Sequence, residues 1–218
     1  MDKAQLVVNA TTFVRNELEE DASGHDWWHI ARVTKLAKYI AKKESADEFI
    51  CVLAALLHDI ADEKLNPVGG EEAGLSRVKA WLESQHVTDD TTQKVLEIIS
   101  TMSFKGGNRP QMKTLEGKVV QDADRLDAIG AIGIARTFAY AGAHGDLIYD
   151  PKIALRDHLT KEEYRNGKST AINHFYEKLL KLKGLMNTNT ARELAEKRHT
   201  LMEQFLTDFY NEWEGPLD

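Results

Sequence analysis

In the stretch CVLAALLHDIADEKL, residues 51–65, an apolar run gives way within one residue to His58, Asp59, Asp62 and Glu63. An imidazole and a carboxylate at the edge of a core are costly unless each finds a partner, because desolvation penalises charge. A divalent cation satisfies both, and Ala54 and Ala55, one turn back, are small enough to leave room for one. A helix-ending histidine with solvated acids is the plainer reading of this stretch alone. The rest of the chain supplies further donors in similar settings. In GHDWWHIARV, His29 follows His25 by four residues, and Trp28, Ile30 and Val33 can bury the neighbouring faces. In VVQDADRLDAIGAIGIAR, Asp122, Asp124 and Asp127 interrupt a run of Val, Ile, Leu and Ala, where propensity gives acids no reason to be. Asp124 and Asp127 share a helical face, and Asp122 points elsewhere.

The order His29, His58-Asp59, Asp124 resembles the H…HD…D signature of the HD-domain metal-dependent phosphohydrolases. The words HDWWHIARV, LLHDIAD and DADRLDAIGAIGIAR are similar to a small bacterial branch of that superfamily, and the resemblance covers most of residues 23–141. It implies a helical domain that binds a divalent ion through His29, His58, Asp59 and Asp124 and hydrolyses phosphate esters or anhydrides. In the similar branch it implies a nucleoside triphosphate pyrophosphohydrolase. Two imidazoles and two carboxylates suit Mn2+ first, then Fe2+, Ni2+, Co2+ or Zn2+, rather than the all-oxygen shell of Mg2+. Dinuclear relatives add histidines between the HD pair and the last Asp. Here only His86 lies in that interval, so one metal is expected. The match with related nucleotidases implies that Asp62 activates water or protonates the leaving oxygen. On a continuing helix Asp62, four residues after His58, would share its face above the ion, with Glu63 turned away.

A phosphate substrate needs cations. SFKGGNRPQMK, residues 103–113, offers Lys105 and Arg109 around Gly106-Gly107, where bare backbone can approach an anion. They serve either as phosphate contacts or as ordinary loop charges. No Walker pattern occurs. His25, one turn before His29, either lines the pocket or faces water.

The elements that must position these groups read as helices throughout. Val52, Leu53, Leu56, Leu57 and Ile60 recur at helical steps, and no Asn-Gly or Asp-Gly hairpin turn occurs. The periodicity predicts helices near 3–20, 27–43, 46–61, 71–86, 90–101, 114–141, 170–183 and 190–212. Ser45 with Glu48 and Thr190 with Glu193 read as capping boxes. Residues 142–169 form the one long irregular stretch, a functional segment or a solvated insertion. The fold class is all-α, a single HD-type helical bundle over residues 1–218. Its motif-bearing core spans about 23–141, and C-terminal helices at about 170–212 pack on it or on a second subunit, so a homodimer is possible.

Composition narrows the partners. The chain has 218 residues, 42% of them hydrophobic, and a net charge of −7, which argues against nonspecific nucleic-acid binding. Its longest apolar run, Phe49 to Leu57, is nine residues, far short of the roughly 20 a membrane span requires. The first residues, Met-Asp-Lys-Ala-Gln, carry no export signal, and Cys51 is the single cysteine, which fits a cytoplasmic protein. The function expected is hydrolysis of a small-molecule nucleotide, a (deoxy)nucleoside triphosphate cut to monophosphate and pyrophosphate. The alternatives are a nucleoside 5′-monophosphate phosphatase and a non-catalytic nucleotide-binding module.

Overall fold

The computed structural model describes residues 2–18, 26–63, 65–102, 112–156 and 169–215. Nine α-helices account for most of them: α1 Lys3–Leu18, α2 Trp27–Glu44, α3 Glu48–Leu57, α4 Gly70–Ser84, α5 Asp89–Met102, α6 Leu115–Asp127, α7 Gly130–His144, α8 Ala171–Glu177 and α9 Asn189–Glu214. Short 3-10 segments follow α3, at His58–Ala61, and α8, at Leu179–Leu185. Among the described residues there is no strand, only an isolated bridge between Leu147 and Thr170. The all-α expectation holds. No described helix is long and apolar enough to cross a membrane. The chain forms two compact units, Met1–Asp124 and Arg125–Asp218.

The first unit is organised around α3. Every residue from Ile50 to Leu57 is buried, with α1, α2 and α5 packed around the helix. Each such aliphatic side chain contributes about 1.5–3 kcal/mol by leaving water, so a segment this apolar belongs at the centre. Cys51 lies inside this core, and burial, reinforced by the nearby Glu116 carboxylate, pushes its thiol up to about 12. Asp47 starts α3: its carboxylate accepts from the Phe49 and Ile50 amides at 2.9 and 3.2 Å. The capping box expected from Ser45 is therefore displaced. Ser45 instead ends α2 in the left-handed region, at φ 60°. A carboxylate two residues closer to the helix start reaches the free amides directly, and its charge suits the helix N-terminus. Likewise Thr188, not Thr190, caps α9, its hydroxyl accepting from the Ala191 amide.

The helix expected over 114–141 is two helices. Ile129 is extended and Gly130 has φ 76°, so the chain turns between Asp127 and Gly130. A Cβ at Gly130 would lie 2.9 Å from the Arg198 side chain, which donates to the Leu126 carbonyl at the end of α6. Glycine meets both demands, a positive φ and a close neighbour.

In the second unit, Phe205 of α9 packs on Phe138 of α7 and Phe175 of α8, at ring separations of 5.8 and 5.6 Å. The described part of the stretch expected to be irregular is tied down at 147–148 by bonds from the Ala171 and Ile172 amides. It is tied again by Arg156, which grips Glu177 through Nε and Nη2 at 2.9 and 2.7 Å. Residues 157–168 lie outside the described part.

This unit should be acid-labile. Burial, with the Lys178 ammonium adding to it, pushes His174 down to about 4. Burial would raise the Glu177 carboxyl, but the Arg156 guanidinium outweighs it and holds the group below its usual range. Both folded values lie below the unfolded ones, so the native state binds fewer protons and stability falls as pH falls. His174 acts between about 6.5 and 4, and Glu177 adds its loss below about 4.5. Urea unfolding should show about 2–3 kcal/mol lost from His174 across its window. His174→Gln should flatten that upper part of the profile, and an unchanged slope would contradict the assignment.

Candidate metal centre

Three helices deliver the donors. His29 is the third residue of α2, and its own amide donates to the Asp26 carboxylate at 2.7 Å, the N-cap of that helix. Asp26, in the word HDWWHIARV, thereby fixes the turn that carries His29. Its signal was present, an Asp directly before the first helical residue. His58 and Asp59 open the 3-10 segment after α3. His58 Nδ1 lies 2.8 Å from the Ala55 carbonyl, one of the last acceptors of α3. That bond requires the proton on Nδ1 and turns Nε2 inward, the nitrogen a metal would take in place of a proton. Asp124 lies in the last turn of α6.

The side chains converge. His58 Nε2 is 3.1 Å from Asp59 Oδ1 and 3.9 Å from Asp124 Oδ1. His29 Nε2 is 3.6 Å from Asp59 Oδ2 and 3.4 Å from Asp124 Oδ1. Donor atoms of the buried residues His29, His58 and Asp59 all lie within 4.8 Å of one another. The Asp124 side chain, 38% exposed, borders the group on its open side. Burial favours a neutral His58, yet the Asp59 and Asp124 carboxylates outweigh it and raise its pKa. Burial also opposes charge on Asp124, but the His29 hydrogen bond and the His58 charge hold its pKa below the ordinary value.

These residues fit a divalent ion. His58 Nε2 is buried and has no hydrogen-bond partner among the described residues, although Asp59 Oδ1 lies 3.1 Å away. A buried polar atom of this kind is rare and costs about 1–3 kcal/mol unless something else satisfies it. Two nitrogen and two oxygen donors around one point match the borderline transition metals. No other group of three or more such donors occurs among the described residues, and His86 is exposed at the end of α4.

The other acids have separate roles. Asp122 is fully buried, and Asp127 pairs with Arg136 at 2.7 Å. Arg125 donates to the Leu185 carbonyl. The helical placement of Asp62 over His58 needs correction. The α-helix ends at Leu57, and Asp62 leaves the 3-10 segment with extended backbone, at ψ 139°. Asp62 is half-buried beside the turn rather than one α-helical turn above His58. His25, Lys105 and Arg109 lie outside the described residues.

Comparison with known proteins agrees with this architecture. Residues 27–129 match the HD domain family. An HD-superfamily hydrolase from Bacillus thuringiensis is 51% identical, with a TM-score of 0.79 over 98% of this chain and 100% of that one. A Lactobacillus plantarum protein superposes with a TM-score of 0.85 at 45% identity, covering 98% and 99% of the two chains. Bacillus subtilis YpgQ is 43% identical over 94% of this chain and 92% of its own, and its crystal structure in complex with ADP superposes with a TM-score of 0.74. The fold and these likenesses define a helical, metal-dependent phosphohydrolase. The chain belongs to the HD-domain superfamily of hydrolases.

Proposed function

We propose that the substrate is a nucleoside triphosphate, cut to nucleoside monophosphate and pyrophosphate in the cytoplasm. His29, His58, Asp59 and Asp124 would hold one divalent ion, Mn2+ first among the candidates, and Asp62 would move the proton. The observation that carries the reading is the buried, unsatisfied His58 Nε2 facing two carboxylates. Nucleotide as the substrate class is supported by YpgQ, solved with ADP and 42% identical to this chain in that comparison. When bound, the ion supplies Lewis acidity that polarises a phosphoryl oxygen and acidifies water. The chain supplies the rest. Asp62 accepts a proton as water oxygen bonds to the α-phosphorus and the bond from that phosphorus to the bridging oxygen breaks. Lys105 and Arg109 neutralise the charge that develops on departing pyrophosphate, and His25 borders the substrate.

A panel of nucleotides tested with Mn2+, Co2+, Ni2+, Zn2+ and Mg2+ should release monophosphate. Phosphate colour should then appear only after inorganic pyrophosphatase is added. Lys105→Ala and Arg109→Ala should weaken triphosphate turnover more than any turnover of monophosphate. Colour without pyrophosphatase, alongside a nucleoside product, would replace this reading with a 5′-monophosphate phosphatase. Tight nucleotide binding with no product under any metal would make the chain a binding module.

A further inference from the structure

Asn66 lies in the loop between the His58–Ala61 turn and α4, only 5% exposed, with no part in the chemistry described above. Its Nδ2 donates to the carbonyls of Ile60 and Asp62, both at 2.8 Å. Those two carbonyls flank the exit of the 3-10 turn, where the turn's own ladder stops with the Asp62 amide bonded to the Asp59 carbonyl at 2.9 Å. Helix ends leave such acceptors without partners inside the helix, and the Asp62 carbonyl also accepts from the Leu65 amide at 3.1 Å. A primary amide is the smallest side-chain group with two hydrogens to give, and here both are given to the same turn.

The clamp is itself held. The Asn66 amide donates to the Glu63 carbonyl, and the Asn66 carbonyl accepts from Gly70 at the start of α4. Its Oδ1 faces Arg77 Nη1 at 3.4 Å, and Arg77 Nη2 bonds Glu17 of α1 at 2.6 Å. On the same side α4 presses its bare backbone against the turn. A Cβ at Gly74 would sit 2.5 Å from the Ala61 Cα and 2.7 Å from Asn66 Nδ2. The turn bearing His58 and Asp59 is thus gripped at its exit by one side chain and along its flank by one helix.

We infer that Asn66 is a positioning residue: it holds the His58-Asp59 turn, and with it the Asp62 backbone, in the geometry that metal binding requires. The inference rests on the ligand assignment proposed above. The donors must meet within a few ångströms, and sites of this kind tolerate errors of about 0.5 Å before function suffers.

The test uses the intact protein and two readouts, neither of them activity. Asn66→Leu keeps the volume, adds no charge and removes both donors. In metal-free protein, hydrogen exchange at the Asp62 amide should accelerate, while the Ile98 and Ile99 amides in α5 stay protected. By calorimetry, Mn2+ should bind about 10–100-fold more weakly, the usual range for groups that orient ligands. Val78→Ala, a truncation in the core face of α4, serves as a control of general destabilisation and should keep parental affinity. Arg77→Met, which withdraws the outer support, should move both readouts the same way by less, and it carries the test if Asn66→Leu does not fold. Parental Mn2+ affinity in Asn66→Leu overturns the inference even if the turn exchanges faster. Equal weakening in Val78→Ala overturns it too. Failure of the parental protein to bind any of Mn2+, Fe2+, Co2+, Ni2+ or Zn2+ would instead remove the ligand assignment, leaving the exchange data to judge the clamp.

Discussion

Replacing His58 or Asp59 by alanine should abolish hydrolysis and empty the protein of metal, the largest change any single substitution is expected to produce. His58 Nε2 is buried beside Asp59 and Asp124 with no hydrogen-bond partner among the described residues, so its removal deletes a donor at the centre of the group. Asp59 touches both imidazoles, at 3.1 Å from His58 and 3.6 Å from His29. Its loss leaves two ring nitrogens facing a single remaining carboxylate. His29→Ala and Asp124→Ala should follow the same pattern, with less damage to the fold at the half-buried Asp124. Elemental analysis after purification in Mn2+ is the direct measurement. Asp122→Asn should keep its metal, because that residue is buried outside the converging group. Full metal in the Asp124 variant, with loss in an Asp122 or Asp127 variant, would show that the last ligand is misassigned.

Asp62→Asn should behave in the opposite way: metal retained, turnover down about 10²–10⁴-fold, the usual contribution of a general acid or base. The substitution is nearly isosteric, and the backbone there is held independently of the side chain. The Asp62 amide bonds the Asp59 carbonyl, and its own carbonyl accepts from Asn66. The variant therefore changes one proton-transfer group and leaves the turn in place. Single-turnover rates at saturating nucleotide and metal separate this from a binding defect. Parental turnover at the pH optimum would take Asp62 out of the chemistry.

The residue pattern alone established that the chain is helical, because steps of three and four among Val52, Leu53, Leu56, Leu57 and Ile60 admit no strand. It also singled out the four candidate donors, since acids and histidines set in apolar helices stand out against composition. Which caps start the helices was not decided so locally. Ser45 and Thr190 carry the glutamate of a capping box, and Asp47 and Thr188 do not, yet Asp47 and Thr188 are the residues whose side chains accept the first free amides. The break at Ile129-Gly130 depends on Arg198, sixty-eight residues further on, whose side chain occupies the space a Cβ would need. The end of α3 at Leu57 is the most consequential case. Local periodicity runs on through Ile60, which placed Asp62 on the helical face of His58. In the folded chain α4 brings Gly74 against Ala61, and Asn66 takes the Ile60 and Asp62 carbonyls. Hydrogen bonds from Asn66, four and six residues on, compete with the i-to-i−4 ladder for these acceptors, and the packing of α4 through Gly74 against Ala61 holds the chain in the turn. Donor identity is a property of residue type and local burial, readable in one dimension. Donor geometry is set by contacts between segments that only folding brings together.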